Sequence, residues 1–297
     1  MTKPILMHPA TASVAAPSSH WQAILQQMRV PLTAAGVLIL LAILLLAAFA
    51  ELLAPGDPLD MAGMPLLWPG ADAAHPLGTD SLGRDVWAGL AHGARASLAI
   101  GFSAAAISLL IGISIGVLSG YYGGLVDRCL MRITELFQTI PAFLLVIVLV
   151  AIYSPTLGII QLAIGLASWP EIARLTRAEF RRLRQHDFVQ AARSAGYSNA
   201  HIIVREILPN ALPAIVVTTS ILIASAILME SGLAFLGMGD PNVASWGGMI
   251  GTGRDQLSSE WFLTALPGAA IALTVLALNV LGDGLNDALN PRLRESS

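Results

Sequence analysis

The sequence predicts an all-α, polytopic membrane protein with six transmembrane helices and both termini on the cytoplasmic side. Composition is the first reason: only 12% of the 297 residues are charged, against about 25% in ordinary globular domains, and the mean hydropathy is +0.71. The second is the set of charge-free stretches over 30–50, 96–126, 136–170, 207–229 and 261–282. A spanning helix needs about 20 predominantly apolar residues, and continuous rather than alternating apolarity argues against a β-barrel. The third is the placement of Lys and Arg. With the N-terminus inside, 13 of the 16 basic residues fall in inside segments and only Arg84, Arg95 and Arg254 outside, the bias that sets membrane orientation.

The elements follow in order. Residues 1–30 form a cytoplasmic tail rich in Ala, Ser and Pro, expected to be disordered. The first span is 31–50. Ala48-Phe49-Ala50 resembles a signal-peptide cleavage site, but the apolar core is longer than the usual 7–15 or so residues and its polar lead runs to about thirty. An outside loop, 51–95, leads to the second span, 96–119, where Gly101, Gly112 and Gly116 with Ser103, Ser108 and Ser114 provide small faces for close packing. The 136–170 stretch holds two helices, 133–153 and 156–173, separated at Pro155 and Gly158. A cytoplasmic loop (174–210), the fifth span (211–236), an outside loop (237–261) and the sixth span (262–286) complete a domain over 31–292, with a short tail at 293–297.

The 174–210 loop is the informative segment. It carries Arg174, Arg177, Arg181, Arg182, Arg184, Arg193 and Arg205 in an otherwise nearly charge-free chain. A solvated loop that only fixes topology accounts for the arginines, but not for the small residues Ala191, Ala192 and Ala195 placed before Gly196. Their spacing predicts two short helices with Gly196 as the joint, Ser198 or Asn199 capping the second, and Leu208-Pro209 ending it.

The order Gln190-Ala191-Ala192, Gly196, then Ile207-Leu208-Pro209 resembles the ATPase-coupling loop of permease subunits of ATP-binding-cassette (ABC) importers. Four further blocks narrow the resemblance. They are His75-Pro-Leu-Gly-Thr-Asp-Ser-Leu-Gly-Arg-Asp85, Gly93-Ala-Arg-Ala-Ser-Leu98, Phe235-Leu-Gly-Met-Gly239 with Ser245-Trp-Gly247, and the run from Leu281 to Arg292. Together they are similar to the dipeptide, oligopeptide and nickel permease family, and to the second of its two permeases. The resemblance implies the type I importer architecture. It also implies a heterodimer with a second permease subunit, two cytoplasmic ATPase subunits that bind the ATP, and an extracytoplasmic substrate-binding protein, in a bacterial inner membrane. Two positions depart from the pattern: Gln190 replaces the leading acid, and Glu206 stands where an isoleucine is usual.

The 51–95 loop, ending in Asp80, Arg84 and Asp85, is by the same resemblance near the docking surface of the binding protein; a lid against the partner permease is the alternative. The residues themselves predict a folded turn with Arg84 or Arg95 pairing with Asp80 or Asp85, and Trp246 and Trp261 at the lipid interface. Glu230, inside the fifth span, is read either as a pathway or gate residue or as a structural hydrogen bond. Asp283 and Asp287 near the end of the sixth span fit capping. The only lysine is Lys3, so the chain lacks the G-x-x-x-x-G-K-[ST] phosphate loop and any ATPase is another chain. No catalytic residue, bound cofactor, metal site or nucleic-acid partner is expected. The rival function is a self-contained secondary transporter, which calls for ion-coupling residues inside the spans and internal repeats; only Glu230 answers to the former.

Overall fold

The structure, a computed structural model, describes residues 30–289; the two expected tails, Val30 apart, lie outside the described residues. Among the described residues the regular structure is helical. The helices are α1 (Pro31–Ala48), α2 (Ala50–Leu53), α3 (Val86–Tyr122), α4 (Gly124–Gln138), α5 (Ala142–Tyr153) and α6 (Leu157–Leu183). The remainder are α7 (Asp187–Ser194), α8 (Asn199–His201), α9 (Leu208–Phe235), α10 (Trp246–Gly253) and α11 (Phe262–Leu289).

Four stretches are long and apolar enough to cross a bilayer: α1, α3, the continuous run Asn199–Phe235 ending in α9, and Phe262–Ala288 of α11. α4 and α5 pass only as a pair bent by 77°. The third expected span, 133–153, is therefore not straight. Pro141 lacks an N–H and disfavours helix at Ile140, which breaks the run. The fourth, 156–173, falls in α6, which continues as a charged helix to Leu183 and is not among the helices apolar enough to cross a bilayer, so four or at most five spans stand among the described residues where six were expected. α3 starts ten residues before the expected span, where Asp85 caps it by accepting the Trp87 N–H at 3.0 Å. Its 37 residues reach about 55 Å, well beyond a hydrocarbon core of about 30 Å.

α3 and α6 pack along a row of small residues. A Cβ at Gly112 would lie 2.8 Å from the Trp169 carbonyl oxygen, at Gly116 2.6 Å from that of Ala173, and at Gly120 2.8 Å from that of Arg177. The spacing of four repeats one helix face, so the two backbones touch over about two turns. Gly165 on α6 returns the contact against Ile107, and the Ser108 hydroxyl donates to the Gly165 carbonyl at 2.9 Å. Ser103 and Ser114 instead donate to carbonyls of their own helix.

Leu208-Pro209 does not end the helix before the fifth span. Ile202–Ile207 form a π-helical turn that runs straight into α9, with the Leu208 N–H donating to the Ile203 carbonyl. The wider turn absorbs the proline, whose ring would clash with the carbonyl of a regular preceding turn.

Candidate functional site

The residues expected to form the coupling loop gather into one hairpin. α7 ends in a tight cap: the Gly196 N–H donates to the Arg193 carbonyl at 3.0 Å and the Tyr197 N–H to that of Ala192 at 3.1 Å. This pair of bonds needs a left-handed residue after the helix, and Gly196 has φ +81°. Ser198 caps the second arm by accepting the His201 N–H at 3.3 Å, and Tyr197 stacks on His201 at 4.5 Å. The apolar side chains of both arms turn inward. Val189, Ala192, Ile202 and Ile207 are buried with Phe180 and Leu183 of α6 and Ile215 of α9.

The burial pattern corrects one expectation. Gln190 and Ala191 are exposed and available to a partner, whereas Ala192 is only 6% exposed and faces the chain's own core. Its small size serves packing within the chain rather than close approach of another surface. Leu208 is half-buried and Pro209 exposed. We expect Ala192→Trp to overpack the hairpin by about 1–3 kcal/mol, lowering uptake at normal membrane levels while disturbing the whole loop. Ala191→Trp should leave the fold intact and reduce only retention of ATPase subunits, read by limited proteolysis and co-purification.

A second constellation lies at the opposite ends of the spans. The block ending in Asp85 folds through backbone contacts, not ion pairs with arginine. The Asp80 carboxylate accepts the Leu82 and Arg84 N–H groups at 2.8 and 2.9 Å. Gly78 and Gly83 approach the Leu67 and Gly63 carbonyls too closely for any Cβ. Arg95 donates to the Ala47 carbonyl at 3.2 Å, and Asp85 lies 3.9 Å from His75. Asp80, Arg84 and Asp85 share a cavity of about 240 Å³ with Asp240, Ser245 and Arg254, so the 51–95 and 237–261 loops build one surface.

Trp246 is not at a lipid interface. It is fully buried, its indole N–H donating to the Leu90 carbonyl at 3.0 Å and its backbone N–H to the Ser97 hydroxyl at 3.1 Å. Gly93 leaves room for the ring. Trp261 is 56% exposed. Glu230, 2% exposed, accepts from the Ser245 hydroxyl at 2.7 Å, and Gly247 and Gly251 bring α10 against the backbone of α9 beside it. Three separate sequence blocks thus meet at α10.

A family model described as "Binding-protein-dependent transport system inner membrane component" matches residues 112–295. The chain belongs to this family. It is 39% identical to the di/tripeptide transport system permease protein DppC of Pseudomonas aeruginosa, over 88% of each chain. It is 40% identical to the probable D,D-dipeptide transport system permease protein DdpC of Escherichia coli, also over 88% of each. The glutathione transport system permease protein GsiD of Pectobacterium atrosepticum is 38% identical over 88% of this chain and 87% of its own. The fold is that of ABC importer permeases: an inward-facing MetNI methionine ABC transporter chain superimposes with TM-score 0.57 at 19% identity, covering 69% of this chain and 97% of that one.

The sequence reading of this ABC permease missed the residues that hold the hairpin in place. Tyr121, at the end of α3, donates to the Asn199 side chain at 2.7 Å. The Arg184 guanidinium donates to the Tyr121 carbonyl at 2.6 Å, and Arg193 lies 5.7 Å over the Tyr121 ring. One step away, Asp127 of α4 accepts from Arg177 at 2.5 and 2.7 Å and from Ser119. The Arg177 bond holds the Asp127 carboxyl below the usual carboxylate range, so this pair is intact at neutral pH and fades only as the pH falls through and below that range. The available signal was the Tyr121-Tyr122-Gly123-Gly124 break after a long charge-free run.

Proposed function

We propose that this chain forms half of the translocation pathway of an ABC importer for di- or tripeptides or related small solutes, in a bacterial inner membrane. A second permease subunit would complete the pathway. Two cytoplasmic ATPase subunits would bind the hairpin over 189–209, and a substrate-binding protein would dock on the outside surface around Asp80, Arg84 and Asp85. The chain itself binds no cofactor in this reading; ATP is used by the ATPases. The solutes for which the relatives are named, peptides and glutathione, favour peptides over nickel.

The observation that carries the reading is mechanical continuity. The first arm of the hairpin hangs from α6, and the second arm runs unbroken through the π turn into α9. Movement of the exposed Gln190-Ala191 ridge is therefore passed to two long helices at once. With Gln190 in place of an acid, the contact with the ATPase rests on shape and hydrogen bonding more than on charge at that position.

The test is mass spectrometry of what co-purifies with the tagged chain in its native host. A second permease and ATPase subunits in stoichiometric amounts support the proposal, and an associated binding protein gives access to the cargo. A chain that purifies alone and catalyses gradient-driven uptake in liposomes without ATP would sink it.

A further inference from the structure

Between the hairpin and the α3–α4 turn lies a polar cleft of about 470 Å³ that the coupling role leaves unexplained. Arg181 and Arg184, from the end of α6, and Arg193, from α7, line it. The only acid lining it among the described residues is Asp127, which bonds Arg177 and Ser119 and also lies 3.8 Å from Arg181. The third wall is the N-terminus of α4. No side chain caps this 15-residue helix, and Gly123 and Gly124, at φ +68° and +56°, leave its first amides uncovered by Cβ atoms. A helix N-terminus attracts anions, and here three guanidinium groups converge on it from two other elements. Two of them are held in place by Tyr121, through its carbonyl and its ring.

From this convergence we infer that the cleft binds a phosphate anion, and that its source is the headgroup of an anionic phospholipid. The location decides the source. The cleft sits at the end of α3, beside the half-exposed Tyr122, and about two turns past residue 173, where the apolar part of α6 ends. On the topology expected from the arginines this is headgroup depth on the cytoplasmic side, where basic pockets between spans take acidic headgroups. Arguing from charge alone, an acidic ATPase side chain would also fit. Besides Gln190 of the exposed ridge, however, the cleft is lined by the end of α3 and the start of α4, Gly120 to Gly124, directly after the last expected residue of the second span. Because Gln190 and Arg193 also line the cleft, a bound headgroup would order α7 from its membrane side.

The test is native mass spectrometry of the assembled complex in detergent, titrated with phosphatidylglycerol, phosphatidylcholine or inorganic phosphate. One phosphatidylglycerol should be retained per copy of this chain, with phosphatidylcholine displaced first. Arg181→Gln with Arg193→Gln should weaken retention about 30-fold, while Arg128→Gln with Arg132→Gln, an equal loss of charge on exposed α4 positions, should not. Equal weakening by both pairs would reduce the effect to general electrostatics and overturn the site. Binding of inorganic phosphate without retention of phosphatidylglycerol would overturn the lipid assignment. So would lipid binding to the chain alone that vanishes once the ATPases are present, since the cleft would then belong to them.

Discussion

Gly196→Pro is expected to abolish uptake while leaving the protein in the membrane at normal levels. The residue sits at φ +81° and donates its N–H to the Arg193 carbonyl. Proline meets neither demand, since its φ is held near −65° and it has no N–H, a mismatch of about 3 kcal/mol or more. The penalty falls on the cap joining the two arms, not on the spans, so insertion should survive. No atom lies within 4 Å of a Cβ built at this position, which makes the conformational cause separable from a steric one. Gly196→Asn, a side chain that tolerates the left-handed region, should transport nearly as well as the parent. Gly196→Ala should lose about 5- to 30-fold for its cost of about 1–2 kcal/mol. Uptake of a labelled dipeptide in membrane vesicles, normalised to permease content, checks the series. Equal activity in the proline and parent proteins would remove the hairpin from the coupling path.

Gly116→Val should act on the fold itself. A Cβ at Gly116 would meet the Thr176 Cβ at 2.5 Å, the Ala173 carbonyl oxygen at 2.6 Å and the Arg177 nitrogen at 3.0 Å. Two of those atoms are backbone, so no side-chain rotation relieves the contact and α3 must part from α6. Overpacking a core costs about 1–3 kcal/mol when side chains can yield; a backbone contact should exceed that. We expect the variant to be largely lost from the monodisperse peak in detergent size-exclusion chromatography, with a lowered Tm in what remains. Gly268→Ala provides the contrast. It too lies in a long apolar helix, but nothing is within 4 Å of its Cβ, so it should behave like the parent. Similar losses in both would assign the defect to glycine composition rather than to the α3–α6 contact.

The expected architecture was legible because it depends on composition and long-range patterning. Charge-free runs of membrane length and the clustering of basic residues between a few of them need no tertiary contact to be read. The joint at Gly196 was also legible, since a small-residue helix followed by glycine and a Ser cap carries its own local geometry. Helix ends were less so. The long α3 and the uninterrupted entry into α9 overrode local signals, because the Asp85 cap and the π turn settle those boundaries. Pro209 reads as a stop in isolation and sits within a continuous helix here.

What the amino-acid sequence determined by itself is therefore the class, the long apolar runs and the presence of a concentrated polar loop between two of them, all properties of solvent preference along the chain. The tertiary structure alone decided which face each loop residue shows. It turned Ala192 inward and Ala191 outward, buried Trp246 in the notch at Gly93, and placed Tyr121 under the hairpin 78 positions before its partner Asn199. Such contacts join residues far apart in the chain through complementary shape and hydrogen bonding, and no local periodicity records them.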